Sequence, residues 1–231
     1  MANETTLKNI FRALRYRNFR LFFLGQGISL VGTWMQAIAM GWLVYRMTNS
    51  PLLLGLVGFI SQIPAFILGP FAGVVADRFN RHRILIITQT LAMIQALALA
   101  ILVMTGTIQV WHIMVLGAFL GCINSIDIPA RQSFIFEMVE SKENLSNAIA
   151  LNSFMFNAAR LIGPSVAGIL IMAAGEGICF LINGLSFIAV IASLLLMKVA
   201  ISPKGRNAAN MLDGIKEGFR YAFGFEPIRL I

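Results

Sequence analysis

GVVADRFNRHR, Gly73 to Arg83, separates two long apolar runs, Pro51 to Ala76 and Ile84 to Ile126. The stretch holds one acid and three arginines, while the runs beside it carry none of Asp, Glu, Lys or Arg. In a water-soluble protein it would be an ordinary charged loop. Between segments of bilayer length it reads as a short basic hairpin at a membrane surface.

Composition supports the membrane reading. Hydrophobic residues make up 58% and charged residues 12%, against the roughly 25% charged expected of a soluble domain. Mean hydropathy is +0.80. A chain of 231 residues cannot bury so many long apolar helices in water, so the expected class is an all-α integral membrane protein. The net charge of +8 does not point to nucleic acid. All of the 18 Lys and Arg except Arg46 and Arg160 lie in the N-terminal segment, alternate inter-helix turns or the tail, a positive-inside distribution rather than a binding patch. Cys122 and Cys179 each sit within an apolar run and read as small packing residues. His82 and His112 are too isolated for a metal site, and no cofactor is expected. The first apolar run is too long for a signal peptide and reads as a retained span. No nucleophile–base pair, metal cluster or phosphate loop suggests an enzyme.

Six spans follow from the apolar runs: about Leu21 to Tyr45, Leu52 to Ala76, Ile84 to the Thr105-Gly106-Thr107 break, Val110 to Ile128 closed by Pro129, Leu145 to Ala174, and from the Gly175-Glu176-Gly177 turn to about Met197. An even number of spans returns the chain to one side. That side carries Lys8, Arg12, Arg15, Arg17 and Arg20, then Arg78, Arg81 and Arg83, then Arg131 and Lys142, while the opposite loops carry only Arg46. Both termini are therefore expected in the cytoplasm. The organisation is a basic N-terminal segment (1–20), a six-helix transmembrane domain (21–198) and a cytoplasmic linker (199–231). Within the linker, Leu212, Ile215, Phe219 and Phe223 recur at helical spacing, which predicts an amphipathic surface helix. A seventh span is expected to begin near Pro227.

The order Gly73, Asp77-Arg78, Arg81, Arg83 resembles the cytoplasmic loop motif of the major facilitator superfamily. Asn80 stands where that motif usually has glycine, and Asn is the residue best able to replace it in a left-handed conformation. A second stretch, Arg160-Leu-Ile-Gly163-Pro164-Ser-Val-Ala167-Gly168, resembles the Gly-Pro motif of exporters in the superfamily, with Ala167 in place of one glycine. Ala159, Gly163 and Ala167 form a small-residue ridge suited to close helix approach, and Pro164 can kink the helix. Packing alone would also explain that motif. Together with Phe11 to Met35 and Asp127-Ile-Pro-Ala-Arg131-Gln132, the wording is similar to the drug and siderophore exporter branch that includes macrolide efflux and enterobactin export proteins. The resemblance implies the N-terminal half of a twelve-span protein, built as 3+3 inverted repeats, in a bacterial inner membrane. It further implies that Arg81 pairs with Asp127, that Asp77 caps a helix of the second half, and that Ala65, Gly69 and Gly73 dock there.

Two further features bear on transport. Gln26, Ser29, Thr33, Gln36 and Met40 share one face of the first span. Hydrocarbon does not satisfy such groups, so the face belongs to a cavity wall or to interhelical hydrogen bonding. Trp34 lies off this face and is expected between helices. Arg160 is the one intramembrane charge, and it calls for an anionic substrate, a carboxylate from the other half, or backbone carbonyls. Acidic residues at mid-depth are lacking: Asp127 is expected near a span end, and Glu137, Glu140, Glu143 and Glu176 in loops. Any proton-carrying carboxylate would then lie in the other half.

The expected function is export of amphipathic small molecules, drugs or siderophores, by alternating access. The partners would be the bilayer, a substrate, and a C-terminal six-helix half or a second copy. The alternative is a non-transporting membrane scaffold or regulatory half-protein.

Overall fold

The computed structural model describes residues 11–139 and 142–198, with the side chains at 70, 142 and 143 excepted. The linker and its expected surface helix lie outside the described residues. A short 3-10 turn, Arg12–Arg15, leads into six long helices: α1 (Arg17–Thr48), α2 (Pro51–Arg78), α3 (Arg81–Met104), α4 (Val110–Met138), α5 (Lys142–Ala174) and α6 (Glu176–Leu196). Each contains a segment long and apolar enough to cross a membrane.

Local chemistry explains where the helices stop. Asn49 closes α1 in the left-handed conformation (φ 49°), which Asn tolerates better than most residues. Ser50 then accepts a hydrogen bond from the Leu53 N–H, and Pro51 occupies the first helical turn where its missing N–H is harmless. Gly106 (φ 70°) and Gly175 (φ 79°) make two other reversals, conformations that a Cβ would strain.

Three sequence expectations need correction. Asn80 is not left-handed. Its φ is −64°, and its side chain accepts from the Arg83 N–H, so it serves as the N-cap of α3. Pro129 does not close the fourth span, since α4 continues to Met138. The ring forfeits one intrahelical hydrogen bond, but the turns beyond it bury Ala130, Phe134, Ile135 and Met138, and that apolar burial offsets the loss. Asp127 consequently lies well inside α4, and Glu137 and Glu176 belong to helices rather than loops.

The packing repeats. Helix α5 rests on α1 as α2 rests on α4; α1 packs on α6 as α4 packs on α3; and α3 meets α6. Exchanging the first three helices for the last three reproduces this pattern. Each connection reverses direction, so helices three apart run oppositely, as in a 3+3 inverted repeat. One apolar cluster, around Phe19, Phe22, Leu85, Phe134 and Val190, fills the end that carries the basic turns. A second, around Met35, Leu43, Leu99, Ile113 and Phe180, fills the other.

Glycines set the close approaches between helices. A Cβ on Gly121 would run into the Ser61 carbonyl and lie 3.2 Å from the Pro64 ring, joining α4 to α2. By contrast, Gly69 on the outer face of α2 has no neighbouring atom within 4 Å. Gly121→Ala should lower stability by about 1–3 kcal/mol in denaturant titrations of the detergent-solubilised protein. Gly69→Ala should be neutral or stabilising by up to about 1 kcal/mol.

Candidate functional site

The basic turn closes around one side chain. Arg81 opens α3, where a cation is disfavoured by the helix dipole, yet its guanidinium reaches back to the last turn of α2, where carbonyls lack partners. Its Nε donates to the Ala76 carbonyl at 3.1 Å. One terminal nitrogen donates to Asp77 at 2.9 Å and the other to Glu137 at 2.8 Å and the Ser133 carbonyl at 3.4 Å. Arg81 is largely buried, while the Asp77 side chain remains 73% exposed. This clasp fastens the α2–α3 turn to α4. Arg83 and Arg78 are not buried here, and a Cβ on Gly73 would meet nothing within 4 Å.

Asp127 is not the partner of Arg81. It is 2% exposed and pairs with Arg131 one turn further along α4, at 2.9 Å. Its other oxygen accepts from Thr88 at 2.7 Å and Gln89 at 2.8 Å on α3. Helix α4 continues past Pro129, so Glu137 lies level with the basic turn and takes the place expected of Asp127. Beside this cluster lies a small cavity of about 40 Å³, lined by Gln26, Thr33, Gln89, Asn124, Asp127 and Arg131 together with apolar side chains.

The polar stripe of α1 faces inward. Gln26, Ser29 and Gln36 are buried. Gln36 joins helices: it donates to Gln95 of α3 at 3.0 Å and accepts from Asn183 of α6 at 2.8 Å, while Gln95 donates to the Leu116 carbonyl of α4 at 3.2 Å. Thr33 bonds the Ser29 carbonyl of its own helix. Of the two readings left open for this face, Gln36 follows interhelical bonding, and Gln26 and Thr33 border the small cavity.

Arg160 faces the opposite way. Helix α5 is buried mainly along one narrow stripe that includes Ala148, Leu151, Met155, Ala159, Gly163 and Ala167. A Cβ at Gly163 would lie 2.6 Å from the Trp34 Cβ and 2.9 Å from the Val31 carbonyl, so the ridge sits directly on α1. Pro164 lies within α5 beside this ridge, whereas a Cβ on Gly168 would meet nothing within 4 Å and takes no part in it. The approach brings Arg160 over the Trp34 ring, 5.5 Å from its centroid. Trp34 meets Phe156 edge-on, with centroids 5.6 Å apart at 75°. Both Arg160 and Trp34 lie roughly 26 Å along their helices from the basic end, at 1.5 Å per residue.

Arg160 is exposed and makes no ion pair or hydrogen bond among the described residues. Ser146, Ser153 and Asn157 are exposed on the same face of α5, being separated from Arg160 and one another by helical spacings. This second polar stripe is visible in the sequence, but the nearby Gly-Pro motif points to the packing face instead. At the other end of the bundle Arg46 and Glu176 form two short contacts, 2.9 and 3.0 Å. They tie the last turn of α1 to the first turn of α6, each charge at its dipole-favoured helix end.

A family model described as transmembrane secretion effector matches residues 9–231, and the chain belongs to that family of major facilitator proteins. It is 27% identical over 204 residues to the staphyloferrin A transporter of Staphylococcus aureus (87% of this chain, 51% of the relative). It is 24% identical over 223 residues to the enterobactin exporter of Shigella boydii (96% and 53%). It is 24% identical over 203 residues to macrolide efflux protein A of Streptococcus pyogenes (86% and 49%). The chain thus spans about half the length of the curated relatives it matches.

The buried Asp127 cluster yields a stability prediction. Asp127→Ala would leave the mostly buried Arg131 unpaired, and should destabilise by about 3–5 kcal/mol. Adding Arg131→Met should recover part of that loss in the same unfolding assay, because no uncompensated charge remains. Thr88→Val should cost about 1 kcal/mol, one neutral donor being removed.

Proposed function

We propose that this chain, as a member of the transmembrane secretion effector family, is the six-helix N-terminal unit of an export-type secondary transporter. It works by alternating access with a second six-helix unit, supplied by further sequence, another chain or a second copy. Its substrates are amphipathic small molecules, in keeping with relatives named for staphyloferrin A, enterobactin and macrolides. The observation that carries this reading is the exposed polar face of α5. Ser146, Ser153, Asn157 and Arg160 run along a membrane-spanning helix that is exposed on that side. The Asn157 amide donates to the Ser153 carbonyl of its own helix at 2.8 Å, but lipid cannot satisfy the Arg160 guanidinium, so the face favours a border with water or another protein unit. A translocation path between two units provides both.

The positive-inside distribution orients the basic end toward the cytoplasm. The Arg81 clasp then holds the cytoplasmic ends of α2 and α4 together, and leaves Asp77 exposed at the rim. Asp77 is the group of the clasp available to a helix N-terminus of the second unit, where an acid is favoured. Breaking that contact reopens the cytoplasmic side in each cycle.

The reading is tested by efflux from cells that express the chain with a matching second unit. Macrolides and siderophores should both be assayed, and export of at least one class above the level of either unit alone is expected. No gain for any substrate would favour a non-transporting scaffold. Asp77→Asn should leave membrane insertion intact and slow efflux roughly tenfold or more, the loss of a charge-assisted hydrogen bond worth about 1.5 kcal/mol or more. Unchanged efflux would remove Asp77 from the gate.

A further inference from the structure

We infer that Arg160 and Trp34 form a recognition site for a small aromatic anion, a substrate class that refines the transport reading and rests on it. Arg160 carries a charge with no ion-pair partner among the described residues. Arg160 lies at mid-depth on the exposed face of α5, and no described acid is near enough to neutralise it. Asp127, the acid well inside a spanning helix, is already held by Arg131, Thr88 and Gln89. An unsatisfied cation in a membrane segment is costly, so the position selects an anionic counterpart.

The surroundings narrow the chemistry. Trp34 lies under the guanidinium and favours a side chain that holds its position rather than one that swings to the membrane surface. The guanidinium N–H donors form no hydrogen bond to a described residue. Their planar fork suits carboxylate, sulfonate or phosphate, which can accept two parallel bonds. Beside it the Trp34 ring and the half-exposed Phe156 edge give an aromatic wall, to which a flat ring can stack or pack edge-on. Asn157 and Ser153 continue the polar face toward the basic end and can meet hydroxyl substituents. A cation placed here would be repelled at short range in a medium less polar than water. Small aromatic anions therefore bind, and their cationic counterparts of equal shape do not.

Trp34 is its own reporter. With Trp42 and Trp111 replaced by Phe, the 231-residue chain in lipid nanodiscs carries Trp34 as its single tryptophan. Three probes of matched ring size are titrated against its emission: naphthalene-2-sulfonate, a naphthyl trimethylammonium and naphthalene-2-methanol. The sulfonate should quench saturably and bind at least tenfold more tightly than the ammonium. Arg160→Gln should abolish that preference, and Arg160→Lys, which keeps charge but not the fork, should weaken sulfonate binding roughly tenfold. Circular dichroism and gel filtration establish that each variant is folded. Equal affinity for the three probes, or a preference that survives Arg160→Gln, would overturn the site.

Efflux with the second unit present separates this inference from the transport reading. Selective sulfonate binding without export of any compound leaves the site standing and the transport reading refuted. Export of neutral and cationic compounds with no binding at Trp34 refutes the site alone. If Arg160→Gln weakens association with the second unit and lowers export of every charge class equally, Arg160 serves as an interface residue and the inference is overturned.

Discussion

The architecture depends on one constraint: a polar group buried where water is scarce must find its partner within the protein. The chain meets it most fully at the amide relay Asn183–Gln36–Gln95, which ends on the Leu116 carbonyl. The relay sits between the two apolar clusters and joins α6, α1, α3 and α4 in sequence. Each amide can bond only if the helices lie close, and small residues beside it allow that. A Cβ on Gly32 would press against Asn183 and Ser186, and one on Gly184 against Leu97. The same helices could slide past one another if their contacts were purely apolar. Directional bonds fix their depth and rotation, while the close approach contributes dispersion contacts that lipid would otherwise supply.

Above and below the relay, charge is arranged differently. Asp127 and Arg131 are buried together, an arrangement that adds specificity more than stability, because desolvation consumes much of the attraction. At the ends, charged groups use helix dipoles instead. Arg81 covers the Ala76 carbonyl in the last turn of α2, and Glu176 opens α6 with Arg46 at the close of α1. The end contacts join helix termini away from the relay, the α2–α3 turn to α4 at one end and α1 to α6 at the other.

Much of this was legible in the sequence. The spans followed from runs of apolar residues that exceed the bilayer thickness, and the helical class and family from the basic turn and the Gly-Pro stretch. Partner choice was less legible, because pairing across helices depends on register. Pro129 suggested a helix end, which placed Asp127 level with Arg81; once α4 continues, Glu137 occupies that level and Asp127 lies deeper in the bundle. Asn80 looked like a glycine substitute, but a helix start needs a side-chain acceptor and Asn supplies one without a left-handed backbone. For the α1 stripe, periodicity showed that its members share a face but could not say whether the face meets water or amides. Gln36 meets amides because Gln95 and Asn183 come to its depth from α3 and α6, two non-local coincidences that no local pattern encodes.

The inverted repeat makes α2 and α5 equivalent, and both are largely exposed outer helices, yet their outer faces differ in kind. On α2 the exposed residues are apolar, with Phe59, Phe66, Ile67 and Phe71 among them, until the charged last turn; Gln62 is the exception. On α5 a polar stripe and an arginine without an ion pair among the described residues cross the same region. Equivalent positions in the fold thus carry opposite surface chemistry. An apolar face can meet lipid or another apolar surface at little cost in desolvation. A polar face with a fixed cation resists lipid and dry contact alike, and is stable only beside water or a complementary charge. Fold symmetry supplies the two positions, and the side chains decide which of them tolerates lipid and which does not.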